Sequence, residues 1–386
     1  MASQATPIAV FDISSSSVGG AHALITTTDN KTSVRLMVQE RRDSGLDDEI
    51  NIVRFVDDTA KALEVVIDHV RNADVHHPEA IQVVLGSPWY TSYTRTITYN
   101  KTPVFTCTKR LVDSLIEKEI ESLLKETSAA GDAFGDSFKV VEQQVSRISL
   151  NGYSTTDPYG KKVQSMEIVL MVTLVPEVVV ERFTGILRRS YGDRTIHVTT
   201  GLHAAYVALR DNGGVQSNCV IVDVGEEVTD IAFVKDNLFV SQHSFPLGVY
   251  ELYRSLSSVT GSSLEARALV EAYRLDKLSP NNVRIVEKAI NAFALQWQKL
   301  LHEVVAEGTH GFHVPPHWYI VGDQRFEALF TGIISSDTFL QHASTAPELV
   351  PVFLNTLKFS AQIQASAAET PDPSLAIGAL FIDRLI

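Results

Sequence analysis

The sequence predicts an α/β fold made of two halves of related design, with a β-rich insertion in the first. Three observations carry this. Residues 7–85 read as three strands, a helix and a strand. A strand that delivers an acid into a tight turn occurs twice, at Asp12 and again at Asp223. Between them, residues 89–175 are mostly strand-like around a single helix.

The elements follow in order. Residues 7–13 are an apolar run, Ser14, Ser15, Ser16 and Ser17 form a polar turn, and a strand resumes at 19–27, so the chain opens on a hairpin. Residues 32–40 supply a third strand. Ala60, Leu63, Val66, Ile67 and Val70 recur at helical spacing over 57–73, and 81–85 is a buried-type strand closed by Gly86, Ser87 and Pro88. In the insertion, Leu111, Leu115, Ile116, Ile120 and Leu123 make the stripe of a helix at 109–126; strands at 138–150 and 163–175 flank a loop at 151–162. Trp89, Tyr90 and Tyr93 are expected to pack this insertion. A helix at 176–191, a short strand at 195–199 and a helix opened by Thr200 and Gly201 complete the first half. The second half has strands at 220–224, 229–234 and 238–245, a helix at 249–257, helices over 262–307 broken at Ser279 and Pro280, and a strand at 317–321 that ends on Gly322 and Asp323. The remainder reads as helix and loop. The expected division is 1–86, 87–175, 176–212 and 213–386.

Composition narrows the function. The 386 residues carry 33 Lys and Arg against 46 Asp and Glu, a net charge of −13. A protein that grips nucleic acid by charge needs the opposite balance. Cys107 and Cys219 are far apart in apolar surroundings, which reads as two reduced thiols of a cytoplasmic protein. The sequence shows no secretory signal and no apolar run long enough to span a bilayer.

The two acidic turns are the chemical signal. Backbone N–H groups of such turns converge on phosphate oxygens, and the acid can hold the water shell of Mg²⁺. On these residues the chain resembles the actin-like ATPase superfamily, with its ribonuclease H-like duplicated fold around a nucleotide cleft. Residues 12–17 resemble the first phosphate loop, 223–230 the second, and 319–324 the adenosine motif. The resemblance implies ATP and Mg²⁺ as ligands, Asp12 and Asp223 as metal-side carboxylates, and Ser14, Ser15, Ser16, Gly225, Thr229, Asp230 and Gly322 as nucleotide-side residues. Residues 140–175, with Asn151, Gly152 and the run Asp157, Pro158, Tyr159, Gly160, are similar to the inserted βαββ subdomain of the FtsA branch, to which PilM also belongs. Ser374 to Leu380 resembles the closing turn.

The departures weigh against ATP. Ser14, Glu226, Glu227 and Asp323 stand where the resemblance implies glycines, and Arg267 and Val270 where it implies ribose contacts. Carboxylates facing a polyphosphate repel it. The resemblance therefore implies a scaffold with a degenerate ATP site at the cytoplasmic face of the membrane. It would bind division or pilus proteins through membrane-protein tails, self-associate, and reach the membrane indirectly or through a segment beyond Ile386. An ATPase using Asp12 and Asp223, with His203 placing water, is the opposing expectation. His302, His310, His313 and His317 lack the spacing of a zinc site and read as loop histidines.

Overall fold

The computed structural model describes residues 5–28, 31–44, 52–73, 76–131, 134–212, 215–308, 313–336, 349–355, 359, 362–364 and 370–382. The first half opens with β1 (Ala5–Ile13), β2 (Ser17–Thr28), β3 (Lys31–Asp43), α1 (Ile52–Ala73) and β4 (Ala80–Leu85). The insertion follows as β5 (Thr91–Thr106), α2 (Lys109–Ala130), β6 (Phe138–Leu150), β7 (Tyr153–Ser154) and β8 (Lys162–Pro176). Then come α3 (Glu177–Tyr191), β9 (Thr195–Thr200) and α4 (Gly201–Asp211). The second half contains β10 (Cys219–Val224), β11 (Thr229–Lys235), β12 (Leu238–Phe245), α5 (Val249–Thr260), α6 (Ser263–Arg274), α7 (Pro280–Gly308), β13 (His317–Gly322), α8 (Glu327–Ile334), β14 (Val350–Phe353), β15 (Ile363–Gln364) and α9 (Pro373–Ile382).

The duplication is explicit in the sheets. The first runs β15-β3-β2-β1-β4-β9 and the second β12-β11-β10-β13-β14. Each has an antiparallel triplet whose first strand then pairs in parallel with the next. Strand alternation builds the layers. In β1, Ile8 and Val10 face α4 and α9, whereas Ala9, Phe11 and Ile13 face α1 and α3. In β10, Cys219 and Ile221 share the first of those cores, and Val220, Val222 and Val224 pack under α5, α7 and α8. Helices α4 and α9 thus lie between two sheets that are apolar on both faces, which is why their central strands read as unbroken apolar runs. The same parity turns Asp12, Asp223 and Asp230 toward the gap between the halves.

The insertion forms its own sheet, β5-β8-β6-β7, with α2 packed on it through Val112 and Leu123. The aromatic run divides differently from the sequence expectation. Trp89 is buried in the first half, stacked on Phe55 at 4.6 Å and edge-on to Phe183; Tyr90 lies in the same core, and Tyr93 alone packs with the insertion. The reason is that Gly86 to Tyr90 still belongs to the end of β4, before the chain departs.

The last stretch also differs from the expected helix and loop. Val350–Phe353 pairs in parallel with β13, and Ile363–Gln364 with Val34 and Arg35 of β3. Both strands are too short for a periodicity to register, and their partners supply the pairing. With β15 and α9, the C-terminal segment packs on the first sheet. Both cysteines are buried free thiols; Cys107 follows β5 rather than lying in a strand, and burial pushes Cys219 up to about 12. Among the described residues no helix is long and apolar enough to cross a membrane.

Candidate functional site

The strand ends, α4 and α5 bound a cleft of about 400 Å³ between the halves, toward the low end of the ~300–1,000 Å³ common for small-molecule sites. Asp12, Ser14, Ser16, Asp223, Gly225, Asp230 and Gly322 line it. Ser15 lies beside it, with its hydroxyl donating across the gap to Glu226 Oε2 at 3.0 Å. Thr229 does not line it. Its hydroxyl is fully buried, donates to the Leu247 carbonyl at 2.7 Å and accepts from Trp297 Nε1 at 3.0 Å, which ties β11 to α7.

Asp12 is held by an arginine that the sequence reading missed. Arg41 Nη2 lies 2.7 Å from Asp12 Oδ2, Arg41 Nε lies 2.7 Å from Asp372 Oδ2, and Nη1 donates to Ser17 Oγ at 3.0 Å. Burial nevertheless pushes the Asp12 carboxyl up against the pull of Arg41. The detectable signal was Gly19 on β2, opposite Arg41, where a Cβ would meet Arg41 Nη2 at 2.6 Å. The glycine makes room for the guanidinium.

Asp223 has the contrary environment. No described residue gives its carboxylate a hydrogen bond or a cation, and burial first, then Asp230, Asp12 and Glu226, push it well up. Gly201 sits so near that a Cβ there would meet Asp223 Oδ2 at 3.0 Å, so the N-terminus of α4 abuts this acid. Asp230 is buried, with three hydroxyl donors: Ser87 at 2.6 Å, Tyr90 at 3.1 Å and Ser244 at 2.5 Å. Its partners are side chains from β12 and from the turn after β4, not the backbone of its own hairpin.

The second turn is closed on itself. Gly225 N–H donates to the Val228 carbonyl at 3.0 Å, while the Gly225 and Glu226 carbonyls accept from Val249 N–H at 3.1 Å and Tyr250 N–H at 2.8 Å. The leading N–H groups of α5 therefore cap the turn instead of facing the cleft. A Cβ at Gly248 would come within 2.2 Å of the Glu226 backbone, so only glycine permits this contact. Glu227 turns away from the cleft to Arg254. Asp323 lines the cleft but caps the 3₁₀ turn after β13 and pairs with Arg325. Arg267 reaches from α6 to Asp43 on β3 at 2.8 Å and joins the halves; Val270 is buried in the second core. Among the described residues the cleft thus presents seven carboxylates and three arginines, and each of these arginines already sits on a carboxylate.

His203 is not among the residues lining the cleft. Its ring lies 3.4 Å from Glu142 and packs on Phe381. Glu142, on β6 of the insertion, also accepts from Thr199 Oγ1 at 2.5 Å and from Thr200 N–H at 2.7 Å, which caps α4. Burial pushes Glu142 up, but His203 and these donors together hold it below the ordinary carboxylate range. Nothing in its sequence surroundings marks this role. His302 lies in α7, His313 precedes β13 and His317 opens β13, whereas His310 falls outside the described residues. Among the described residues no three His, Cys, Asp or Glu side chains are arranged to hold a metal.

Comparison with known proteins bears on the fold. No protein-family model and no curated protein sequence matches the chain. Among solved structures, the chain is similar to a PilM–PilN type IV pilus biogenesis complex, at a TM-score of 0.64 and 12% identity over 98% of both chains. Looser likenesses include the ethanolamine utilization protein EutJ from Carboxydothermus hydrogenoformans, at 0.44 and 12% identity over 97% and 89%. Another is a Bacteroides thetaiotaomicron protein with an actin-like ATPase fold, at 0.38 and 9% identity over 97% and 96%. The two sheets of matching strand order, the helices between them and the cleft at their strand ends give the chain the duplicated actin-like fold.

Proposed function

We propose that the chain is an adaptor of actin-like fold that holds partner proteins at the cytoplasmic face of the membrane and does not turn over ATP. The observation that carries this is the state of the cleft. Arg41, Arg267 and Arg325 are all bound to carboxylates, and the first N–H groups of α5 are taken by the carbonyls of Gly225 and Glu226. A polyphosphate entering there meets Asp223 and Glu226 without a free cation among the described residues to offset them. Of the two acids expected on the Mg²⁺ side, Asp12 is engaged by Arg41, which leaves Asp223 alone for the ion.

The partner class follows from two supports. The similar structure is of PilM with PilN, and an adaptor needs no hydrolysis to hold a membrane protein's cytoplasmic tail. A type IV pilus role is one form of this reading. A division scaffold of FtsA type, with self-association into filaments, is the other; the loop at Asp157 to Gly160 favours it. Release of inorganic phosphate from Mg·ATP tests the catalytic half of the proposal. The expected rate equals that of buffer, and a rate above it that Asp223→Ala abolishes would overturn the reading.

A further inference from the structure

The insertion ends in a tip whose charge is opposite to that of the chain as a whole. Two segments build it. Residues 100–113 run from the end of β5 into α2, and 151–165 run from the β6–β7 turn into β8. The ladder joins them: Phe105 and Thr106 pair with Val163 and Lys162, Cys107 N–H donates to the Lys161 carbonyl at 2.9 Å, and Gly160 N–H to the Cys107 carbonyl at 2.8 Å. Together they carry five cations, Lys101, Lys109, Arg110, Lys161 and Lys162, against two acids, Asp113 and Asp157.

The five cations are exposed, and none has an ion-pair partner among the described residues; Lys161 makes one hydrogen bond, to Thr155. Elsewhere several surface cations, among them Arg54, Lys61, Arg95, Lys139, Arg182 and Arg189, sit on carboxylates, and others such as Lys288 and Lys299 do not among the described residues; the tip is set apart by the clustering of its unpaired cations. Lys109 and Arg110 also occupy the first turn of α2, where cations oppose the helix dipole and local stability gives them no reason to be. Exposed apolar side chains stand among them: Tyr153 at 80% exposure, Val104 at 50% and Tyr159 at 45%.

We infer that this tip docks directly on an anionic lipid bilayer. Lysines and arginines near an acidic leaflet each strengthen attachment severalfold, and tyrosines favour the boundary between headgroups and acyl chains. Val104 near the end of β5, Tyr153 on β7 and Tyr159 in the turn before β8 stand among the cations, and nearly every residue of 151–162 is exposed, which suits a flat lipid surface better than a bound peptide chain. The net acidity of the chain does not forbid the contact. From Thr91, beside the cleft, to Asn100 the strand extends about 30 Å, several times the ~8 Å over which charge is felt at physiological salt. Glu117 and Glu121, exposed further along α2, confine the contact to the tip. The inference rests on the membrane placement proposed above and replaces indirect attachment with a direct one.

The test is co-sedimentation of the full chain with vesicles of mixed phosphatidylglycerol and phosphatidylcholine, beside vesicles of phosphatidylcholine alone. Binding to the anionic vesicles only is expected, lost as salt rises from ~50 to ~500 mM. The variant Lys101→Glu, Lys161→Glu, Lys162→Glu should bind at least about tenfold more weakly, with an unchanged circular dichroism spectrum. Tyr153→Ala with Tyr159→Ala should weaken binding and leave its salt dependence intact. Equal binding by the charge variant, equal binding to neutral vesicles, or binding to a polyglutamate peptide but not to vesicles would each overturn the inference. None of these results touches the adaptor reading, which stands or falls on nucleotide.

Discussion

Replacing Asp223 with asparagine should make the protein more stable at neutral pH. Asp223 and Asp230 are direct cross-strand partners on β10 and β11, both turned into the cleft. Such pairs place their Cβ atoms ~5 Å apart, and two unit charges at that distance repel by about 3 kcal/mol at an effective dielectric near 20. Hydroxyls on Asp230 and partial solvent access at Asp223 reduce this, so the expected gain for Asp223→Asn is about 1–3 kcal/mol, or a rise in Tm of roughly 1–4 °C. The pH dependence has a definite sign. The folded-state pKa of Asp223 is raised, so its stabilising protonated form is present at low pH, and that stability is lost as pH rises through the raised value. The wild type and the variant should therefore converge in acid and separate toward neutrality. Thermal unfolding followed by circular dichroism from pH 4 to 8, with and without Mg²⁺, reads this out. A destabilised variant refutes the reasoning. So does a gain that disappears when Mg²⁺ is added, because it would mean that the wild-type carboxylate holds the ion.

Arg41→Ala leaves Asp12 and Asp372 without their shared cation; since about a third of the arginine side chain is exposed, the expected loss is about 2–3 kcal/mol, measured by urea denaturation. Glu142→Ala removes the acceptor for Thr199 and Thr200 and the carboxylate beside the His203 ring, with an expected loss of about 2–4 kcal/mol at pH 7. Because the Glu142 pKa is lowered in the fold, its contribution is present above the ordinary glutamate value and is lost as pH falls through the lower one. Acid unfolding of Glu142→Gln should accordingly be less steep below ~pH 4.

Much of the fold was legible because its strands are long and its layers repeat. The apolar runs of β1 and β10, each closed by an acid, announced two related sheets, and the helical stripes of α1 and α2 were plain. What escaped was what the tertiary structure alone supplies. β14 and β15 are too short to carry a period, and the return of the C-terminal segment to the first sheet leaves no local trace. At the cleft, the sequence placed Asp12 and Asp223 together but gave them one environment. The structure gives Asp12 an arginine from a strand distant in sequence and Asp223 only acids. Counting Glu227 among the cleft charges was a mistake that no spacing could reveal, because Arg254 on α5 decides where it points. Glu142 lies in the insertion, and its role depends on the N-terminus of a helix some sixty residues later, as the 58-residue separation to Thr200 shows.

The account turns on whether the cleft holds nucleotide. Titration calorimetry of the purified chain with Mg·ATP measures this without presuming turnover. With its arginines engaged and the N-terminus of α5 closed, the cleft should give no saturable heat up to millimolar nucleotide, and Asp223→Asn should leave that result unchanged. Saturable binding at micromolar concentration, abolished by Asp223→Ala, would contradict the account at its centre.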